Sequence, residues 1–129
     1  MMEEHNFHGT HVFLDYTGYA YDEQEQGKWM LNLLQDAVKK ANAREVHAHV
    51  APFDGSVSPL GFAAVVLIDE SHVTAHCYSD RGWLAIDCFT CGESDPNVMA
   101  DYIHERLAEA MPELELMQRN EVRRFLHGD

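Results

Sequence analysis

Hydrophobic and polar positions along the chain first mark out a strand and then a helix. Residues 10–16 are rich in β-branched and aromatic side chains, which predicts a strand. Residues 28–43 carry apolar side chains at helical spacing, with two lysines near the end, and this pattern predicts an amphipathic helix. The apolar stripe consists of Met30, Leu33, Leu34, Ala37 and Ala41.

The middle of the chain predicts four strands. Residues 46–50 alternate between apolar and polar positions, as in a half-buried strand. The continuous apolar run 62–68 predicts a central strand. Residues 72–78 and 83–91 then predict a hairpin around the turn 79–82, which contains an Asp and a Gly.

A second helix and a last strand complete the pattern. Asp95 is suited to the N-cap, with Pro96 at the first helical position, and Pro112 ends the helix. The positions expected to face the core are Val98, Met99, Tyr102, Ile103, Leu107 and Ala110. Residues 113–126 predict the last strand.

The resulting order, β-α-β-β-β-β-α-β, predicts one domain of mixed α/β content. We expect an α+β two-layer sandwich, in which a largely antiparallel sheet carries two helices packed on one face. The other face of the sheet is then solvated or packed against a partner subunit. The length of 129 residues suits a single domain with a substantial core.

Charge and composition exclude several classes of protein. The net charge of −13 repels phosphates and argues against a nucleic-acid partner, while it attracts cationic small molecules. No apolar run is long enough for a membrane span, and the acidic start lacks the features of a secretory signal. The odd number of cysteines, three, argues against a disulfide framework and favours a cytoplasmic protein with reduced thiols.

One segment carries the candidate chemistry. Residues 69–92 read DESHVTAHCYSDRGWLAIDCFTCG, with a Glu-Ser-His start, a histidine five residues after the serine and a closing Phe-Thr-Cys-Gly. Together with His11 and the strand 12–15, and with Pro59 and Gly61 before the central strand, this layout resembles the bacterial and archaeal type of S-adenosylmethionine decarboxylase proenzymes. The resemblance covers nearly the whole chain.

The resemblance implies that the chain cuts its own backbone between Glu70 and Ser71. The serine hydroxyl attacks the preceding carbonyl and turns the amide into an ester. Loss of the serine α-proton expels the carboxylate, and the remaining dehydroalanine hydrolyses to a pyruvoyl group. The products would be a β chain, 1–70, and an α chain, 71–129. The pyruvoyl carbonyl forms a Schiff base with a substrate amine and acts as an electron sink during decarboxylation.

The resemblance also implies an enzyme of polyamine (spermidine) biosynthesis, and it implies roles for two further residues. His76 would be the processing base, since an imidazole accepts protons near neutral pH. Cys91 would donate a proton to the substrate carbon after carbon dioxide has left. Members of the family are at least dimeric, with sites at the subunit interface, so we expect a homodimer.

The predicted hairpin gives an independent test of these roles. Closing it with Tyr78 opposite Trp83 places Ser71 opposite Thr90 and brings Cys91 beside the proposed cut. Strict alternation, however, puts Cys91 on the face of the sheet that carries His76, and Ser71 on the other face. A β-bulge or a rearrangement after cleavage would resolve this conflict.

The chain departs from the family pattern at three positions. Ala63 replaces a serine that assists processing, Val57 replaces an aromatic residue that stacks on adenine, and Asp80 replaces a glutamate that helps to hold the substrate. Tyr78 and Ser79 also replace a Trp-Pro pair. The substitution at position 57 leaves open a pyruvoyl-dependent decarboxylase of another basic amino acid, such as ornithine or arginine.

The candidate carboxylates for a cationic substrate are Asp80, Asp87 and Glu70.

The sequence leaves two other functions open. A non-processed, non-catalytic relative is possible because of Ala63. A metal or redox module could use Cys88-x-x-Cys91, His47-x-His49 or His72-x-x-x-His76, but both cysteines fall in a β pattern without a second Cys-x-x-Cys, so no metal site is expected.

Overall fold

A computed structural model of the chain describes residues 9–21 and 25–126. Within these ranges the strands are β1 (Gly9–Thr17), β2 (Glu45–Phe53), β3 (Gly61–Ile68), β4 (Ser71–Tyr78), β5 (Trp83–Thr90) and β6 (Glu115–Arg124), and the helices are α1 (Gln26–Lys40) and α2 (Pro96–Ala110). The element order matches the prediction from the hydrophobic pattern. The start of the chain, residues 1–8, lies outside the described residues.

The strands form one sheet in the order β2-β3-β4-β5-β1-β6, and every neighbouring pair is antiparallel. Both helices pack against the same side of this sheet. The predicted fold class, an α+β sandwich with two helices on one face, is confirmed. We call the covered side the helix face and the opposite side the open face.

The core lies between the helices and the helix face. α1 buries Met30, Leu33, Leu34, Ala37 and Val38, and α2 buries Met99, Ala100, Ile103 and Leu107. Ala41, predicted to belong to the first stripe, is only partly buried because α1 ends at Lys40. Val98 and Ala110 were also wrongly assigned to the core. They are exposed because they lie outside the narrow stripe that α2 turns towards the sheet.

The structure confirms one local prediction and corrects another. The Asp95 carboxylate accepts a hydrogen bond from the Asn97 N–H at 2.9 Å, so the predicted N-cap is confirmed. Val46, expected to be half-buried, is 53% exposed, because the pairing of β2 with β3 shifts between Glu45 and His47. In the described ranges, neither helix is long and apolar enough to cross a membrane.

Candidate active site

The proposed cleavage position lies at a tight turn between β3 and β4. Ile68 pairs with Ser71, so Asp69 and Glu70 form a two-residue hairpin loop directly before the serine. Asp69 has a φ of 30°, in the left-handed region that aspartate tolerates better than most residues. The guanidinium of Arg44, in the connection from α1 to β2, forms an ion pair with the Asp69 carboxylate. This ion pair links the turn to the end of the helix layer.

Ser71 is buried on the helix face, at 7% exposure, and its hydroxyl has a defined partner. The backbone N–H of Cys91 donates a hydrogen bond to Ser71 Oγ at 3.0 Å. The predicted hairpin register is confirmed, since Tyr78 pairs with Trp83 and His72 with Phe89. The expected conflict between faces does not arise because β5 ends at Thr90, so strict alternation does not extend to Cys91.

Cys91 is buried outside the core cluster that contains the other two cysteines, Cys77 and Cys88. Burial in the core raises the pKa of Cys77 and Cys88 to about 12. The pKa of Cys91 is also raised, by burial and by the negative charge of Glu70. Glu70 lies close by, because a Cβ added to Gly92 would meet its Oε1 at 2.6 Å. Glu70, Ser71, Cys91 and Gly92 therefore meet at one end of the sheet, which we call the cleavage end.

The structure does not bring His76 to this end within one copy of the chain. His76 is exposed on the open face, where it pairs with Ala63 on one side and Ala85 on the other. It follows Ser71 by five residues along the same strand, about 16 Å away and on the opposite face. The proposed processing base therefore cannot reach the serine of its own chain in this conformation.

Val57 and Asp80 lie in loops at the other end of the sheet, which we call the hairpin end. Val57 is 97% exposed in the β2–β3 loop, and Asp80 is exposed in the β4–β5 turn. The two loops are joined by a hydrogen bond from the Ser79 N–H to the Leu60 carbonyl at 3.0 Å. A cavity of about 410 Å³ lies along the β2–β3 loop and is lined by Phe53, Asp54 and Val57, among others.

A second cavity, of about 340 Å³, opens beside His76. Its lining includes His76, Tyr78, Trp83, Asp15 and Met117. The rings of Tyr78 and Trp83 pack edge to face, with their centroids 6.3 Å apart. The hairpin end thus offers aromatic rings and carboxylates, which suits an organic cation.

The open face also holds a pair that the sequence did not reveal. His11 Nε2 lies 2.8 Å from Asp87 Oδ1, and both side chains are partly buried. The ring of Phe89 contacts both His11 and His72. The pKa of His72 is lowered, mainly by burial and further by His11, while Asp87 opposes the shift. His11 and Asp87 were each singled out in the sequence, but their contact depends on the pairing of β1 with β5, which no local pattern encodes.

Among the described residues, no group of three or more His, Cys, Asp or Glu side chains is arranged to hold a metal ion. Cys88 lies fully buried in the core.

Comparisons with known proteins identify the family of this chain. A family model described as S-adenosylmethionine decarboxylase matches residues 10–120. A protein of Anoxybacillus flavithermus named S-adenosylmethionine decarboxylase proenzyme is 37% identical over 101 residues, which is 77% of each chain. A protein of the same name from Thermodesulfovibrio yellowstonii is 35% identical over 112 residues, 86% of this chain and 80% of its own length.

A solved structure supports the fold. The crystal structure of the adenosylmethionine decarboxylase from Aquifex aeolicus superposes with a TM-score of 0.63 at 23% identity, over 89% of this chain and 87% of that one. The model match over most of the chain, together with relatives above 30% identity, shows that this chain belongs to the S-adenosylmethionine decarboxylase family.

Proposed function

We propose that this chain is a pyruvoyl-dependent S-adenosylmethionine decarboxylase of spermidine biosynthesis. In this proposal it cleaves itself at Glu70–Ser71 into a β chain, 1–70, and an α chain, 71–129. The main observation behind the proposal is the hydrogen bond from the Cys91 N–H to Ser71 Oγ, because it holds the proposed nucleophile against the backbone of the residue proposed as proton donor. The name proenzyme given to the relatives is consistent with a chain that requires processing.

The local geometry suits attack by Ser71 on the carbonyl of Glu70. The two-residue turn fixes the direction of that carbonyl, and Arg44 restrains the turn through Asp69. The Cys91 N–H restrains Ser71 Oγ and can stabilise the negative charge that develops on it. Low exposure of Ser71 keeps bulk water away from the ester that forms.

A pyruvoyl group derived from Ser71 fits this position, since the serine lies buried and its Oγ accepts a hydrogen bond from the backbone of Cys91, the proposed proton donor. Such a group supplies an electron sink for the loss of carbon dioxide, which ordinary side chains lack. The thiol of Cys91 holds a proton that can be delivered to the substrate carbon, because its raised pKa keeps it uncharged.

The distance between Ser71 and His76 supports a homodimer as the working unit. In this dimer the open faces of the two copies face each other, and the two-fold axis lies between them, perpendicular to the strands. The axis reverses the strand direction of the second copy. It therefore stacks the hairpin end of one copy on the cleavage end of the other. In this arrangement His76 of each copy lies opposite the cleavage end of the other, and Ser71, which is buried on the helix face, must turn towards the open face for that imidazole to reach it. The open face suits such contact because it includes the apolar side chains Val65 and Leu67 and the ring of Phe89.

The substrate in this proposal is a small cation. Asp80 in the hairpin turn and Asp15 beside the second cavity supply carboxylates. Tyr78 and Trp83, which line that cavity, supply the aromatic surface that Val57 does not. The net charge of −13 favours encounter with a cation. The three free cysteines are compatible with a cytoplasmic protein.

The proposal is tested by release of labelled carbon dioxide from S-adenosylmethionine, ornithine, arginine and lysine at equal concentration. We expect release from S-adenosylmethionine above the other three. The matched control is Ser71→Ala, which cannot form a pyruvoyl group and should release none. A clear preference for ornithine, arginine or lysine would replace the substrate, and equal release by Ser71→Ala would contradict the pyruvoyl mechanism.

A further inference from the structure

The carboxylate of Glu70 occupies a specific position at the cleavage end. A Cβ at position 92 would lie 2.6 Å from Glu70 Oε1, so the absence of a side chain at Gly92 makes room for this carboxylate. Gly92 directly follows Cys91, whose N–H reaches the serine that directly follows Glu70. The two segments therefore cross at this point, with Glu70 beside Cys91 and Gly92.

Glu70 is also the carboxylate whose charge remains available here. Asp69, the other acid in the turn, is paired with the Arg44 guanidinium. The ion pairs of the described part of the chain do not include Glu70. Of the charged groups around the Cys91 thiol, Glu70 is the one that shifts its pKa, and burial acts in the same upward direction. Glu93, although only two residues from Cys91 in sequence, lies exposed and contributes no such shift.

We propose that Glu70 is a positioning residue for the proton donor. Its carboxylate, which lies against Gly92, keeps the Cys91 side chain in the thiol form. A thiol can donate a proton, whereas a thiolate cannot, and a thiolate beside the new carbonyl would be a competing nucleophile. Self-cleavage strengthens the effect, because it leaves Glu70 as the end of the first chain with a second carboxylate at the same place. The cut that creates the electron sink thus also helps to keep its proton donor protonated.

This inference rests on the proposed function for its catalytic meaning, but its physical part is measurable without any activity. In a Ser71→Ala background, which holds the chain uncut, the alkylation rate of Cys91 by iodoacetamide is followed from neutral to alkaline pH by peptide mass. Cys77 and Cys88 serve as internal references because they lie buried in the core. Thiolate is the reactive form, so the rate at a given pH reports the pKa of Cys91.

Two variants test the carboxylate in different ways. Glu70→Gln removes its charge, and we expect alkylation to be roughly threefold faster at mildly alkaline pH, a change of the size that the loss of one weak charge interaction produces. Gly92→Ala keeps the charge but pushes the flexible carboxylate away, and we expect a smaller acceleration in the same direction. Glu93→Gln is the matched control and should alkylate at the parent rate.

The inference is overturned if Glu70→Gln and Gly92→Ala alkylate at the parent rate, or if Glu93→Gln accelerates the reaction as much as Glu70→Gln. The catalytic part is read in the chain with Ser71 restored. There Glu70→Gln should lower the pH at which carbon dioxide release declines on the alkaline side, whereas an unchanged decline would contradict the role. A protein that never cuts itself would disprove the proposed function but would leave the alkylation result readable.

Discussion

Ala63 and His76 face each other directly across β3 and β4, on the open face of the sheet. A hydroxyl at position 63 would therefore lie beside the imidazole of the proposed processing base. We predict that Ala63→Ser speeds self-cleavage, because in the proposed homodimer the added hydroxyl can donate a hydrogen bond to the carbonyl under attack in the partner chain. The measurement is the rate at which purified, freshly translated chain converts to two fragments.

The control for this experiment is on the other neighbour of His76. Ala85 pairs with His76 from β5, so Ala85→Ser adds the same hydroxyl to the opposite side of the same imidazole. Cleavage at the parent rate in Ala85→Ser and faster cleavage in Ala63→Ser would support the assignment. Equal rates in all three chains would contradict it.

A second prediction concerns the division of the site between two copies. Because His76 lies about 16 Å from the serine of its own chain, the Ser71→Ala chain and the His76→Ala chain should each remain uncut when produced alone. When the two are produced together with different tags, the His76→Ala chain should be cut, since His76 of the partner subunit can serve its Ser71. Fragment masses identify which tag has been cleaved.

The mixed experiment distinguishes between two arrangements of the site. If the His76→Ala chain stays whole in the mixture while the two tags copurify, the base does not come from the second copy. If the His76→Ala chain cuts itself when produced alone, His76 is not the processing base.

A third prediction concerns Val57, which is 97% exposed at the edge of the cavity in the β2–β3 loop. Stacking of a base on an aromatic ring contributes about 1–3 kcal/mol in nucleic-acid sites. Val57→Phe should therefore tighten the binding of S-adenosylmethionine by roughly tenfold, at about 1.4 kcal/mol per factor of ten. Titration calorimetry with the processed protein measures the change. Equal tightening for ornithine, which has no adenine, would show that the ring acts in some other way.

A fourth prediction concerns acid stability and His72. Burial lowers the pKa of this imidazole from its ordinary 6.5, an effect that His11 increases and Asp87 partly offsets. Below about pH 6.5 the unfolded chain binds more protons at this position than the folded chain, so the free energy of unfolding falls as the pH drops. His72→Gln should make that fall less steep in denaturant titrations at a series of pH values.

The comparison variant is His47→Gln, which removes an exposed histidine from β2. It should leave the pH dependence of stability close to that of the parent. A profile for His72→Gln as steep as the parent profile would show that the burial of this imidazole does not govern acid stability.

The sequence predicted the sheet and its central hairpin because these depend on local signals. Alternation, apolar runs and the turn at 79–82 were enough to pair Tyr78 with Trp83, and this register carries Ser71 towards Thr90. The limits of the pattern appear where a strand stops. Because β5 ends at Thr90, the strand's alternation of faces does not apply to Cys91. No residue type at this position predicts where the strand ends.

Contacts between distant segments could not be predicted in the same way. The pair formed by His11 and Asp87 depends on β1 lying beside β5, which follows from the order of strands in the whole sheet. The position of the Glu70 carboxylate against Gly92 likewise depends on the approach of the β3–β4 turn to the segment that follows β5. The separation of His76 from Ser71, in contrast, was implicit in their odd spacing along one strand, since side chains separated by five positions point to opposite faces.

Intact-mass measurement of the purified chain shows directly whether the backbone is cut between Glu70 and Ser71. We predict two fragments, corresponding to residues 1–70 and 71–129, with the second blocked to Edman sequencing because it begins with a pyruvoyl group. Ser71→Ala, purified in parallel, should give one mass. A single uncut chain of wild-type sequence after long incubation would contradict self-cleavage and the pyruvoyl mechanism.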